Sequence, residues 1–598
     1  MLRAVSLVRP ARLAALLTLS MAASAAAAGD PVMPLSQVQR GMHCTGYSVI
    51  RGTDVTSFDV LIDDVVYDAA DSADILVTVS GPAVDATGVG PGFSGSPVYC
   101  PAPGSGTMEV VGALSFGIGD YDNKTLLATP IEDMLGEPVA PPSSARRATA
   151  SERRAQPLGT ALTMAGLSPR VAETFRKAAK RAGRDLLAAP AGPRATNFPV
   201  QALVPGSAMS ASYSSGDVTF GGIGTVTYVD GTSVWAFGHP LDSVGRRDLF
   251  LQDAYVYGII SSPSLGSGQG TYKLAAPGHD VGTLSGDGVF SVGGTLGTLP
   301  SRTPMLVTAH DLDSGATQTM SLQLADERDV GNPTGVSPLA FVGSASVAQA
   351  AYTILHGSPV HASGDMCVKF TVTERAKAMG FCNTYVAAGT GIASDGSGSL
   401  GGTTPVIDFG TAASLLDSYR LGPLHVTGVN VTLNLRRGLS QGFMSAVTAP
   451  QRKLTRGKTY TVTLHYARAG GAKATAAVKV HVPIGIPRGK RDLVLTGTAS
   501  DLAGGGISAL SAFLTPSDDE GGPRSLASLS KQIGQIHRYD GVTASFRPRT
   551  KKGEQLSSPT TDDSLPNGAE GKALRERKVY RNAKLRLSGA VNLPVIIR

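Results

Sequence analysis

Residues 90–117 read GPGFSGSPVYCPAPGSGTMEVVGALSFG. Gly, Pro and Ser punctuate this stretch, and Val, Tyr, Leu and Phe fill the short runs between them. That is the pattern of brief strands joined by tight turns. Working outward, Gly46–Ile50, Phe58–Val66 and Ile75–Ser80 read as strands before it. Val110–Phe116 closes it, and Leu126–Ile131 follows, with a short helix over Glu132–Leu135. About three strands before Ser94 and three after it predict a small six-stranded β-barrel over residues 29–135.

The whole chain has 598 residues, enough for three or four domains. It is 42% hydrophobic but only 17% charged, and it carries 73 Gly and 37 Pro. Those values predict a folded, turn-rich, mainly β protein rather than a disordered or coiled-coil one. The net charge of +7 includes Arg3, Arg9 and Arg12 of the first segment. The +4 left without them is too small for a nucleic-acid-binding surface on so long a chain. Met1–Arg12 is basic, Leu13–Ala28 is apolar, and Ala25–Ala28 are small. This order predicts a signal peptide over residues 1–28 and export to a periplasm or the cell exterior. No later stretch reaches transmembrane length, so no transmembrane anchor is expected once the signal is removed. Export makes disulfides of Cys44 with Cys100 and of Cys367 with Cys382 the simplest pairing. The cysteine spacing does not suit zinc, and no metal or cofactor is expected.

Residues 136–197 read as a linker and a basic helix, with Ser168 as N-cap and Pro169 at its first position. Arg176, Lys177, Lys180, Arg181 and Arg184 are expected on a solvated face. Residues 198–388 return to β character, with a hairpin of Thr225–Val229 and Ser233–Gly238 around Asp230-Gly231. Gly221-Gly222-x-Gly224 lies in that hairpin arm rather than before a helix, so it is no phosphate loop. A Gly/Ser linker spans 389–403. Over 404–515 we expect a β-sandwich, because Val429, Val431, Leu433 and Leu435 alternate with polar residues, as do Tyr460–Tyr466 and Ala476–Val482. The last stretch, 516–598, reads as a basic, partly flexible tail.

The chemistry centres on Ser94 and His239. In Gly92-Phe93-Ser94-Gly95, a tight turn would present the serine hydroxyl. The N–H groups of Gly92 and Ser94 would then form an oxyanion hole. Val110–Gly117 resembles the trypsin-like strand that ends in a Ser-aromatic-Gly edge, which implies that Ser115-Phe116-Gly117 pairs with a substrate backbone. Among ten histidines, His425, His465 and His481 fall in alternating strands and His537 in the tail. His239 ends a strand between Gly238 and Pro240, a place that points into a cleft. For the acid that orients it we choose Asp287, in Gly286-Asp287-Gly288, with Asp280 and Asp242 as rivals; Asp59 is read as a turn or surface residue.

Together, GIGTVTYVDGTSVWAFGHP (222–240), GPGFSGSPVY, VVGALSFG and TPIEDML resemble the sporulation stage IV B (SpoIVB-type) serine peptidases. The resemblance covers about a third of the chain. It implies a chymotrypsin-like double β-barrel with His239 and Ser94 catalytic, and a regulatory or self-processing endopeptidase acting on a protein or peptide. The serine half comes first here, as in a circular permutation, and no PDZ-like segment is recognisable. The family's own acid position falls at Ser80 or Gly81, and neither residue can orient a histidine by charge. That departure supports a rival expectation: a non-catalytic envelope or secreted binding protein on a protease-like scaffold.

Overall fold

A computed structural model of the chain describes residues 29–598 apart from 68–71, 119–122, 142–161, 185, 189–197, 262–270, 332–333, 335–336, 360, 389–403, 498–505, 515–521, 537–539, 550–572 and 583. The expected signal peptide and the Gly/Ser linker lie outside the described residues. The architecture is mainly β. Strands β1 (His43–Val49), β2 (Val55–Tyr67), β3 (Ala73–Ser80), β4 (Pro97–Pro101), β5 (Met108–Gly117) and β6 (Thr125–Pro130) close into a barrel in the order β1-β2-β3-β6-β5-β4. Period-2 patterning drives the closure. Phe58, Val60 and Ile62, then Ile75, Val77 and Val79, all point inward and are buried, while their neighbours face outward. Helix α1 (Ile131–Gly136) ends this unit. The disulfide Cys44–Cys100 ties β1 to β4 with a Cα separation of 4.4 Å.

Helix α2 (Pro169–Arg181) lies between β7 (Leu162–Ala165) and β8 (Leu186–Ala188). It buries Val171, Phe175 and Ala178, and leaves Arg176, Lys177, Lys180 and Arg181 in solvent. Arg184 departs from the expected solvated face: its guanidinium reaches Asp242 at 2.9 Å.

Six more strands follow: β9 (Ala208–Gly216), β10 (Thr219–Asp230), β11 (Ser233–Ala236), β12 (Gly245–Ser261), β13 (Thr271–Asp287) and β14 (Val292–Leu296). Their pairings run β9-β12-β13-β14-β11-β10 and return to β9, so they form a second ring. β10 and β11 meet around Asp230 and Gly231, as the Asp-Gly pair predicts. The sheet continues beyond the ring through β15 (Arg302–Asp311), β16 (Thr317–Ala325), β17 (His361–Val372) and β18 (Arg375–Ala388). Cys367 and Cys382 face each other on β17 and β18 and form the second disulfide. Helices α3 (Pro338–Ile354) and α4 (Thr404–Asp417) pack together against this sheet. Among the described residues no helix is long and apolar enough to cross a membrane.

The expected C-terminal organisation needs correction. The strand Val426–Arg437 (β19) carries the Val429–Leu435 alternation. It lies between β15 and β17 in the large sheet, not in a C-terminal sandwich. Alternation identifies a half-buried strand but not its neighbours. The residues after 516 contribute strands Gly541–Pro548, Arg577–Arg581, Arg586–Ser588 and Ala590–Ile597, so the described part of this stretch is not merely a flexible tail. These join earlier strands in a four-stranded and a five-stranded sheet that share one core, including Val462, Leu464, Leu493, Phe546 and Leu593. In between, Leu510, Phe513, Leu529 and Ile533 return to the large core. The chain therefore does not separate at residue 404.

Candidate active site

The turn from Gly90 to Pro97 is clamped between the two rings. Gly92 and Gly95 sit at φ 94° and 91°, the left-handed region that glycine enters without strain. A Cβ on Gly95 would lie 2.0 Å from the Thr225 carbonyl oxygen and 2.5 Å from the Phe237 nitrogen. Thr225 N donates to Ser94 O at 2.8 Å, and Lys273 N donates to Pro91 O at 2.9 Å. Ser96 N and Ser96 Oγ both donate to Phe93 O, at 2.9 and 2.6 Å. A trans peptide points its N–H opposite its C=O. With Pro91 O and Phe93 O held this way, the N–H groups of Gly92 and Ser94 turn to the other side. There neither finds an acceptor among the described residues. Two adjacent unpaired backbone donors are what an oxyanion site requires.

His239 is fully buried, two residues past the point where Gly95 touches Phe237. Phe237 holds φ 72°, a strained conformation for a buried aromatic, and Gly238 follows at 69°. Thr129 Oγ1 donates to Gly238 O, joining this corner to the end of β6. The imidazole lies 6.1 Å from the Phe116 ring, centroid to centroid, on the expected substrate edge. Past Leu114, β5 pairs with β6 on one side only among the described residues. Nδ1 of His239 lies 2.7 Å from Pro240 O. A carbonyl only accepts, so Nδ1 carries the proton and Nε2 keeps its lone pair. Nε2 is buried and has no partner among the described residues. Burial pulls the imidazole down to about 4. The structure thus brings Ser94 and His239 onto facing segments but makes no hydrogen bond between them.

Asp287 does not touch the imidazole, contrary to expectation. Its Oδ1 accepts from Leu241 N at 2.8 Å and its Oδ2 from Asp242 N at 2.9 Å. The reason is local: the His239 side chain turns to its own following residue, and the carboxylate fills the loop beyond it. The two are nevertheless one peptide apart. Pro240 C=O, which accepts from His239, and Leu241 N–H, which donates to Asp287, are the two ends of the same peptide group. Behind Asp287 lies a buried charge cluster. Arg247 makes a bidentate pair with Glu327 (2.8 and 3.1 Å) and reaches Asp242 at 2.8 Å and Asp287 at 3.4 Å. Burial raises the Asp287 carboxyl. Burial opposes ionisation of Asp242 as well, but Arg247 and Arg184 hold that carboxyl below the ordinary range. The rival Asp280 instead accepts from Ser215 and Gln252.

Sequence reasoning missed Lys273. Its side chain is 2% exposed and packs along Gly92, where a Cβ would meet Lys273 Cβ at 2.8 Å. Nζ donates to Ser48 Oγ at 2.6 Å and Thr225 Oγ1 at 3.1 Å, and lies 4.5 Å from the centre of the Phe93 ring. Thr225 Oγ1 passes its proton to Gly92 O at 2.9 Å. Ser96 Oγ donates its single proton toward Phe93 O at 2.6 Å or Ser48 Oγ at 2.9 Å. One hydroxyl chain therefore runs from the ammonium through Thr225 to the Gly92 carbonyl. Burial lowers the amine to about 7. The legible signal was its phase: Thr271, Lys273 and Ala275 share the inward face of β13.

No protein-family model matches the chain, and no curated protein matches it in sequence.

Proposed function

We propose that the chain is an exported serine endopeptidase, a circularly permuted relative of the chymotrypsin-like sporulation stage IV B peptidases. In this reading the C-terminal sheets form a β-sandwich. The observation that carries the reading is the pair of unpaired N–H groups, Gly92 and Ser94, on the segment that faces the strand end bearing a histidine whose free nitrogen is Nε2. In the reaction, Nε2 of His239 takes the Ser94 hydroxyl proton as Oγ bonds to the substrate carbonyl carbon. The carbonyl oxygen becomes an oxyanion held by the two N–H groups. The proton then passes to the leaving amine as the peptide C–N bond breaks. Water, deprotonated by the same nitrogen, attacks the acyl ester and releases Ser94.

In most such sites a carboxylate steadies the protonated imidazole. Here the Pro240 carbonyl takes that place, and Asp287 polarises it through the shared peptide. Lys273 acts from behind through Thr225, keeping the Gly92 carbonyl away from the oxyanion position. The substrate backbone would lie along Ser115-Phe116-Gly117. The absence of a Ser94–His239 hydrogen bond fits a site that tightens only when substrate binds.

The rival reading is a non-catalytic binding protein on the same scaffold. It is favoured by burial, since Ser94 is 2% exposed and His239 is fully covered. Proteolysis of an unfolded casein by the purified mature protein separates the two. Cleavage that disappears in both Ser94→Ala and His239→Ala, by similar factors because the pair acts as a unit, supports the peptidase. Cleavage equal in wild type and both variants, or none at all, supports the binding protein.

A further inference from the structure

We propose that the Cys367–Cys382 disulfide is a thiol-exchange site, opened by a thiolate that attacks Cys382 from the free edge of the large sheet. The two disulfides of the chain lie in opposite surroundings. Cys44 is 5% exposed and Cys100 0%, and both belong to the core of the first barrel. Cys382 is exposed and Cys367 half-buried, on the outward face of β17 and β18. Their neighbours Met366, Val368 and Phe381 point the other way, into the large core. Exchange needs a sulfur that a thiolate can reach, and exposed disulfides are the labile ones.

Position sets the direction of attack. A thiolate displaces sulfur along the S–S axis, from the side opposite the leaving sulfur. Cys367 and Cys382 are register partners on adjacent strands, so that axis runs across the strands. Beyond Cys367 lies β19, with Thr432 as its partner there. Beyond Cys382 no strand follows among the described residues, because β18 is the outermost member of the sheet. The helix Leu526–Gly534 touches β18, but it buries Leu529 and Ile533 in the large core and so packs on the inward side. Lys369, two places from Cys367 on the same outward face, is exposed, and a cation beside the bond favours a thiolate. The hairpin does not rely on the bond. β17 and β18 pair from His361 with Ala388 to Val372 with Arg375, and β17 pairs with β19 along its other side.

The incoming thiolate forms an S–S bond to Cys382 as the Cys367–Cys382 bond breaks, and the electron pair leaves on Cys367 as a thiolate. A second thiolate then displaces Cys382 from the mixed disulfide. The protein disulfide is reduced by two electrons, the reagent thiols are oxidised to their own disulfide, and their protons pass through water to the released cysteines. The ligand is therefore a thiol, carried by a small molecule or by a dithiol protein.

The test treats the folded, full mature chain with glutathione, quenches it with a maleimide and maps the peptides. The expected first product carries glutathione on Cys382 and maleimide on Cys367, with Cys44–Cys100 intact. The exposed bond should open about tenfold or more faster than the buried one, which reacts only when the barrel opens. The exchanged protein should keep its far-UV dichroism and gel-filtration volume. A second arm replaces glutathione with a thioredoxin-type dithiol protein at equal thiol concentration. Faster opening assigns the site to a protein dithiol; equal or slower opening assigns it to a small thiol. Equal opening of both disulfides, glutathione shared evenly between Cys367 and Cys382, or no reaction until denaturant is added would overturn the proposal. So would unfolding on exchange, which would make the bond a structural tie. None of these outcomes depends on Ser94 or His239.

Discussion

Lys273 and Asp287 are the two side chains whose placement only the three-dimensional structure explains. The amine of Lys273 is lowered to about 7 by burial, against an ordinary 10.5. The unfolded chain therefore binds more protons than the folded one between pH 7 and 10.5. Stability should rise with pH across that window, with the full penalty present below it. Lys273→Met should remove this slope and stabilise the fold at pH 7 by about 1–4 kcal/mol, the range seen when apolar groups replace buried charges. If the turn is an oxyanion site, the same change should slow acylation of Ser94 by about 10²–10³-fold, the loss associated with a displaced oxyanion donor. Urea melts at pH 6, 8 and 9.5 read the first effect; a slope unchanged in the variant would contradict burial of the charge. Asp287→Asn keeps the shape but removes the charge behind the Pro240–Leu241 peptide. It should lower the acylation rate by about 10- to 100-fold, read at pH 8 where the carboxyl, raised to about 6, is ionised. An unchanged acylation rate would leave Asp287 as a loop anchor only. The sequence suggested the pairing of Asp287 with His239 but not the intervening peptide, because a side chain turning to its own following carbonyl leaves no mark in residue spacing.

Among elements, the six strands of the first barrel were legible almost residue by residue. Their apolar residues alternate cleanly and Gly-rich turns separate them. The Asp230-Gly231 hairpin and the α2 boundary at Ser168-Pro169 were legible for the same reason: turn and cap chemistry is local. β19 was not. Its alternation is as strict as that of any sandwich strand, yet its partners β15 and β17 lie more than 50 residues away at the nearest aligned positions. Non-local pairing is what a single sequence hides. The return of Phe513 to the large core was hidden likewise. Its ring fills the space over Gly410 of α4, where a Cβ would come within 2.2 Å of it. Phe513→Ala should destabilise the protein by about 3–5 kcal/mol, as deleting a buried ring usually does, measured by denaturant melts. A loss below about 1 kcal/mol would place the segment outside the core. By the same logic a fragment of residues 29–437 should lack a cooperative transition, because it loses this cover although it keeps both rings.

At the scale of the whole molecule, the two rings meet along a seam whose contacts are the site itself. Ser94 O, Pro91 O, Gly92 O and Gly95 O from the first unit all accept from Thr225, Thr227 or Lys273 of the second. The rings bring together groups more than 130 residues apart, so the facing of the Ser94 turn and the Phe237–His239 corner belongs to the assembled molecule and to neither half. The motifs that made both residues candidates were visible in the sequence; the facing of their two segments was not, since nothing local enforces it. The most direct test of this assembly is covalent labelling of the mature protein with a fluorophosphonate, followed by peptide mapping. One phosphonate per chain is expected, on Ser94, with labelling abolished in Ser94→Ala, strongly slowed in His239→Ala and retained in Ser96→Ala. A folded wild-type protein that takes up no label, or carries it on another serine, would show that Ser94 is not an activated nucleophile.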